Sequence, residues 1–132
     1  MPARTLKKIL LVDDEQSILL SLSYLLRTEG VEVTCCSEIE QAKEVLKTDH
    51  FDLVLTDVKM SGVHGVEGLE LLRYIHEHYD TDVMIMTGFG TQKIREEALR
   101  CGACYFFEKP LDIPLLLRQV ALRGIPVKQQ RP

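Results

Sequence analysis

Five short runs rich in aliphatic and β-branched residues, each followed by a longer amphipathic stretch, constrain this chain more than any other feature of it. KKILLV (7–12), VEVTCC (31–36), FDLVLT (51–56), DVMIMT (82–87) and CYFFE (104–108) have the length and composition of strands. The first, third and fourth are apolar nearly throughout, which suits strands covered on both faces of a parallel sheet. VEVTCC alternates more and fits a place toward an edge.

Between the runs, apolar residues recur at helical spacing. Ile18, Leu19, Leu22, Leu25 and Leu26 form one core stripe, and Ile39, Ala42, Val45 and Leu46 a second. Leu69, Leu71, Leu72 and Ile75 mark a third helix, Ile94, Ala98 and Leu99 a fourth, and 115–122 a fifth. Gly30 and Gly102 stand where helix C-caps are expected, Ser37 and Asp112 where N-caps are expected. No Pro/Gly-rich linker interrupts the cycles, and 132 residues suffice for one core. A (βα)5 order with right-handed crossovers predicts a single α/β domain, a doubly wound parallel sheet with helices on both faces.

Composition narrows the function. Against 20 acidic residues stand 16 basic ones, net −4, with no basic stripe, which argues against direct binding to nucleic acid. The apolar run after Lys7 and Lys8 stops at Val12, short of a signal-peptide core or a membrane span, so a cytoplasmic protein is expected. Cys35, Cys36, Cys101 and Cys104 are then expected as reduced thiols.

A parallel sheet of this kind presents its functional site at the carboxyl ends of the strands. There the sequence places Asp13, Asp14 and Glu15 after strand one, Asp57 after strand three, Thr87 and Gly88 after strand four, and Lys109 and Pro110 after strand five. Each has an ordinary explanation on its own: a helix cap, a turn hydroxyl, a solvated cation. Together they converge on one cleft. Two carboxylates about 4 Å apart repel by roughly 4 kcal/mol at an effective dielectric near 20, so three acids need cations. Lys109 supplies one charge, and an all-oxygen donor set suits Mg²⁺ and not zinc. Beside them Asp57 becomes a candidate nucleophile toward phosphorus. Mg²⁺ held by Asp13, Asp14 and Asp57 would take one phosphoryl oxygen, Lys109 a second and the Thr87 hydroxyl a third, while Gly88 would admit the group to the backbone.

The motifs ILLVDDE, DLVLTDVKMSG, VMIMTGFGT and CGACYFFEKPLD, in that order, resemble the receiver domains of two-component response regulators. The resemblance covers roughly 6–122, with a receiver domain expected over 1–123 and a polar tail or linker over 124–132. It implies the flavodoxin-like strand order 2-1-3-4-5, known from the chemotaxis-type receivers. It further implies Asp57 as phosphoacceptor, Asp13 and Asp14 as the acidic pair holding Mg²⁺ (Mn²⁺ as a substitute), and the Lys59 backbone carbonyl as a metal ligand. Thr87 falls at the switch hydroxyl, Phe106 at the switch aromatic, and Lys109 at the phosphate partner. The implied donor is a sensor histidine kinase or phosphotransfer protein. The implied response is a change in the face built from the fourth helix, fifth strand and fifth helix, which also serves for homodimers. Such a domain switches and does not turn over a metabolite.

Some positions depart from the family pattern. Ser61 stands where Pro is frequent, His64 where Asp is frequent, Tyr105 where an acid is common, and GVHGVEGLELL is a few residues longer than usual before its helix. MTGFGT is similar to receivers attached to transcriptional activators.

Two other functions compete. A haloacid-dehalogenase-like phosphohydrolase also uses an aspartyl nucleophile with Mg²⁺, but its second Asp would fall at Lys59, and the chain has no room for a cap domain. A receiver used only for docking would not need the full set of chemical residues. CGAC (101–104) closes a helix where a redox C-x-x-C opens one, and Cys35 and Cys36 are adjacent in a strand and point apart. His76 and His78 diverge on a helix, no phosphate-binding glycine loop follows strand one, and Leu115–Leu117 are explained by packing.

Overall fold

The apolar runs pair as a five-stranded, all-parallel sheet in the order β2-β1-β3-β4-β5. The computed structural model describes residues 6–58, 67–88 and 90–128. The strands are β1 (Lys7–Val12), β2 (Val31–Cys36), β3 (Leu53–Asp57), β4 (Asp82–Thr87) and β5 (Tyr105–Glu108). They alternate with helices α1 (Gln16–Leu26), α2 (Ile39–Thr48), α3 (Glu67–His78), α4 (Gln92–Arg100) and α5 (Ile113–Leu122).

Side chains on a strand alternate between faces, and this period of two divides the core into two layers. Ile9, Leu11, Leu53, Leu55, Met84 and Met86 pack with α1 and α5. Leu10, Val12, Val54, Val83 and Ile85 pack with α2, α3 and α4. The strand order reverses at β1, so crossovers of one hand place α1 on the face opposite α2–α4. β3, central in the sheet, is buried along its whole length, whereas the alternating β2 is an edge strand, as its sequence predicts.

Local details differ from the sequence expectation in instructive ways. β3 begins at Leu53, not Phe51, because the Asp52 carboxylate takes the Lys8 N–H (2.9 Å) ahead of the regular ladder. β5 begins at Tyr105, one residue after Cys104. Ser37 is not the α2 cap; Glu38 occupies that place without a side-chain bond, and Gln41 reaches back to accept from the Ser37 N–H at 3.2 Å. Gly30 has φ +82 but serves a turn before β2, α1 having ended at Leu26. Leu99 is exposed, since one residue of helix turns it away from the stripe of Ile94 and Ala98.

Gly102 (φ +104) and Asp112 take the capping roles expected of them. Gly102 N–H bonds Leu99 C=O (3.1 Å) and Ala103 N–H bonds Ala98 C=O (3.0 Å), the paired bonds of a Schellman ending. The Asp112 side chain accepts from Leu115 N–H at 3.2 Å. Past α5 the core continues to Ile125, 2% exposed, two residues beyond the expected domain edge at 123. Among the described residues, no helix is long and apolar enough to cross a membrane.

Candidate functional site

The sheet ladder itself carries the polar residues to one place. Past the end of β1, Asp13 N–H bonds Cys36 C=O of β2 (3.1 Å); past β3, Val58 N–H bonds Met86 C=O of β4 (3.1 Å). Lys109 N–H bonds Thr87 C=O (2.9 Å), extending the β4–β5 pairing. Backbones on both sides of Asp57, and at Asp13 and Lys109, are thus fixed by hydrogen bonds of buried strands. β1 and β3, which bear the acids, flank the point where the strand order reverses, where such sheets form their crevice.

At that crevice Lys109 Nζ donates to Asp13 Oδ2 at 2.8 Å and to Asp57 Oδ2 at 2.9 Å, with Glu15 Oε1 at 3.9 Å. Asp13 is fully buried and Asp57 is 4% exposed. The second Asp13 oxygen accepts the Glu15 N–H at 2.9 Å. Oxygens of Asp13, Asp14 and Asp57 lie within 4.8 Å of one another, the one such acidic, histidine or cysteine grouping among the described residues. Three carboxylates against one ammonium leave an excess of negative charge in a poorly hydrated place, and hard oxygen donors at this spacing fit a divalent cation. Burial draws the Lys109 pKa down, but its hydrogen bonds to Asp13 and Asp57 and their charges prevail, holding it above the ordinary 10.5.

Thr87 ends β4 and is 1% exposed; its Cα partner on β5 is Glu108, and that of the preceding Met86 on β3 is Asp57. Phe106 is buried in the α2–α4 layer, its ring turned inward. The Lys109–Pro110 peptide bond is cis. Lys59, Ser61 and His64 lie outside the described residues.

Gly68 was not foreseen from the sequence. A Cβ on it would lie 2.0 Å from the Asp57 carbonyl oxygen and 2.6 Å from Val58 Cα, so α3 crosses the strand tip at a distance only glycine permits. Its N–H bonds the Val58 C=O at 3.0 Å. The pattern GLELL carries a hint of it, a glycine in the first turn of an otherwise strong helix.

Fold and site together define a phosphotransfer-type signalling module of the α/β class. The chain belongs to the response regulator receiver domain family, whose profile matches residues 9–121. It is 33% identical over 122 residues to sporulation initiation phosphotransferase F of Bacillus subtilis, covering 92% of this chain and 96% of that protein. It is 34% identical over 108 residues to the regulatory protein AtoC of Escherichia coli, covering 82% of this chain and 23% of AtoC. The chain likewise spans about a quarter of the response regulators FleR and PilR of Pseudomonas aeruginosa. Among solved structures, the beryllofluoride-activated NtrC4 receiver domain dimer superposes with a TM-score of 0.81 at 31% identity, covering 89% of this chain and 96% of that one. The chain is therefore a receiver domain of two-component signalling.

Proposed function

We propose that Asp57 is the phosphoacceptor and that the pocket of Asp13, Asp14, Asp57, Thr87 and Lys109 carries out Mg²⁺-dependent self-phosphorylation. The observation that carries this is the Lys109 ammonium bridging Asp13 and Asp57 at 2.8 and 2.9 Å beside a third carboxylate. An Asp57 oxygen attacks phosphorus, forming an acyl phosphate while the bond from phosphorus to the donor breaks. With a phosphohistidine donor the leaving group is the imidazole; with acetyl phosphate it is acetate. Lys109 neutralises one equatorial oxygen, and the Thr87 hydroxyl would donate to another. Asp13, Asp14 and Asp57 would hold Mg²⁺, with the Lys59 backbone carbonyl as the further ligand the family resemblance implies, and the ion would supply charge neutralisation at a phosphoryl oxygen. Mn²⁺ has the same ligand preference and would substitute.

The donor is a sensor histidine kinase or phosphotransfer protein in the cytoplasm. Phosphorylation replaces the single negative charge of the Asp57 carboxylate with an acyl phosphate of about −2, a net gain of roughly one negative charge next to Thr87, and Phe106 passes the change to the α4–β5–α5 face. Leu99 on α4 and Leu122 on α5, both exposed, support that face as a contact for an output domain or a second receiver. The dehalogenase-like alternative lacks its acid at 59, and a pure docking role leaves the buried charge cluster without a purpose.

Incubation with acetyl phosphate and Mg²⁺, followed by intact-mass measurement, tests the proposal. One phosphoryl group should be acquired by the wild type and none by Asp57→Asn. An unmodified wild type would favour the docking role.

A further inference from the structure

Among the described glycines near the site, Gly90 is limited by space and not by backbone conformation. Its φ is not among the left-handed ones, which in the described chain are those of Gly30, Gly102 and Gly124. A Cβ built on it would lie 3.1 Å from the Thr87 methyl and 3.2 Å from both Cε1 and Cζ of the Phe106 ring. Carbon atoms pack best at about 3.5–4.0 Å, so the ring fills the room a side chain would need. From α4, the Arg95 guanidinium stands 5.6 Å from the ring centroid. Gly90 itself has little freedom to retreat, because Thr91 caps α4, its hydroxyl accepting from Ile94 N–H at 3.1 Å.

We propose that Gly90 is a positioning residue: its bare Cα lets Phe106 lie inward against Thr87, and so sets where the Thr87 hydroxyl stands. A methyl group at 90 can be accommodated in two ways. Either the ring moves outward, or Thr87 rotates about χ1; since methyl and hydroxyl share that bond, rotation carries Oγ1 away with the methyl. The first shifts the switch aromatic and the second moves the hydroxyl itself, the one assigned above to the phosphoryl group, and in this the inference rests on the proposed function. The side chain at 90 would then set how much of the population holds the inward ring before any phosphoryl group arrives.

A double-mutant cycle separates this from a general structural effect. Wild type, Gly90→Ala, Phe106→Leu and the double variant are compared by two readouts. One is the nuclear Overhauser effect between the Thr87 methyl and the aromatic ring, measured in the two proteins that keep Phe106. The other is the rate of phosphoryl acquisition from acetyl phosphate with Mg²⁺. Gly90→Ala should weaken the Overhauser effect and lower the rate by about fivefold or more, as overpacking of this order implies. In the Phe106→Leu background, where the space vacated by the ring lets a methyl at 90 shift away from Thr87, the same substitution should change the rate less than about twofold. An unchanged Overhauser effect in Gly90→Ala, or an equal rate loss in both backgrounds, overturns the inference. If the wild type acquires no phosphoryl group, the proposed function fails, and the Overhauser comparison alone decides whether Gly90 positions the ring. Should Gly90→Ala not fold, recovery of folding in the double variant supports the same steric cause, and failure of both variants to fold contradicts it.

Discussion

Lys109 makes two short ion pairs with acids that water barely reaches, and this sets it apart from the surface pairs of the domain. Exposed pairs such as Lys47–Glu44 contribute about 0–1 kcal/mol. Removing one partner of a buried pair costs about 3–5 kcal/mol, since the other charge is left uncompensated. Lys109→Met should therefore destabilise the metal-free protein by an amount nearer the second figure, measured by urea denaturation in chelator. The pH dependence has a defined sign. Because the folded Lys109 pKa lies above its ordinary 10.5, its stabilisation is fully present below that pH and is lost as pH rises through the higher folded value. Denaturation across an alkaline series should show this loss in the wild type and not in Lys109→Met. The thiols behave as the sequence suggests: Cys101 packs with the α2–α4 layer and Cys104 with the α1–α5 layer, and burial pushes the Cys104 and Cys36 thiols up. At Cys36 and Cys104 that disfavours the thiolate, the reactive form.

Helix α3 and strand β3 meet through Gly68, and no other residue type fits that crossing. Gly68→Ala would force α3 away from the Asp57 carbonyl or bend the strand tip, at a cost of about 1–3 kcal/mol with phosphoryl acceptance reduced in parallel. Chemical denaturation together with the acetyl phosphate assay checks both. Sequence patterns located the elements well because their signals are local. A period of two or 3.6 and a cap such as Asp112 need only neighbouring residues. They missed what depends on a distant partner. Whether Glu38 or Ser37 caps α2 turns on where Gln41 reaches, and the β3 start turns on a bond between Asp52 and Lys8. Gly68 and Gly90 matter through contacts with Asp57, Thr87 and Phe106 that only the assembled fold creates.

At the scale of the whole molecule, the doubly wound parallel architecture was readable because repetition leaves few ways to bury five apolar strands, while the order 2-1-3-4-5 was implied by the family resemblance. The strongly apolar third run lies at the centre and the alternating second run lies at the edge. The boundary of the domain was less legible. RGIPVKQQRP reads as a polar tail, yet Ile125 enters the α1–α5 layer and Lys128 Nζ donates to the Tyr24 carbonyl at 2.6 Å while lying over its ring. One isoleucine among polar residues carries no periodicity, so its burial could not be seen in the sequence. Ile125→Ala should cost about 2–5 kcal/mol in the denaturation free energy, where a residue in a free tail would cost close to nothing. The conversion of phosphorylation into output likewise belongs to this scale, since the acids, the hydroxyl and the lysine come from four different strand ends.

Borohydride reduction of the protein after exposure to acetyl phosphate and Mg²⁺, followed by peptide mass mapping, tests the central assignment most directly. An acyl phosphate is reduced to an alcohol, which marks the residue that carried it as homoserine. The account predicts homoserine at Asp57 alone, dependent on the metal and absent without the phosphodonor. Homoserine at Asp13 or Asp14, or no reduced residue in a protein that binds Mg²⁺, would contradict it.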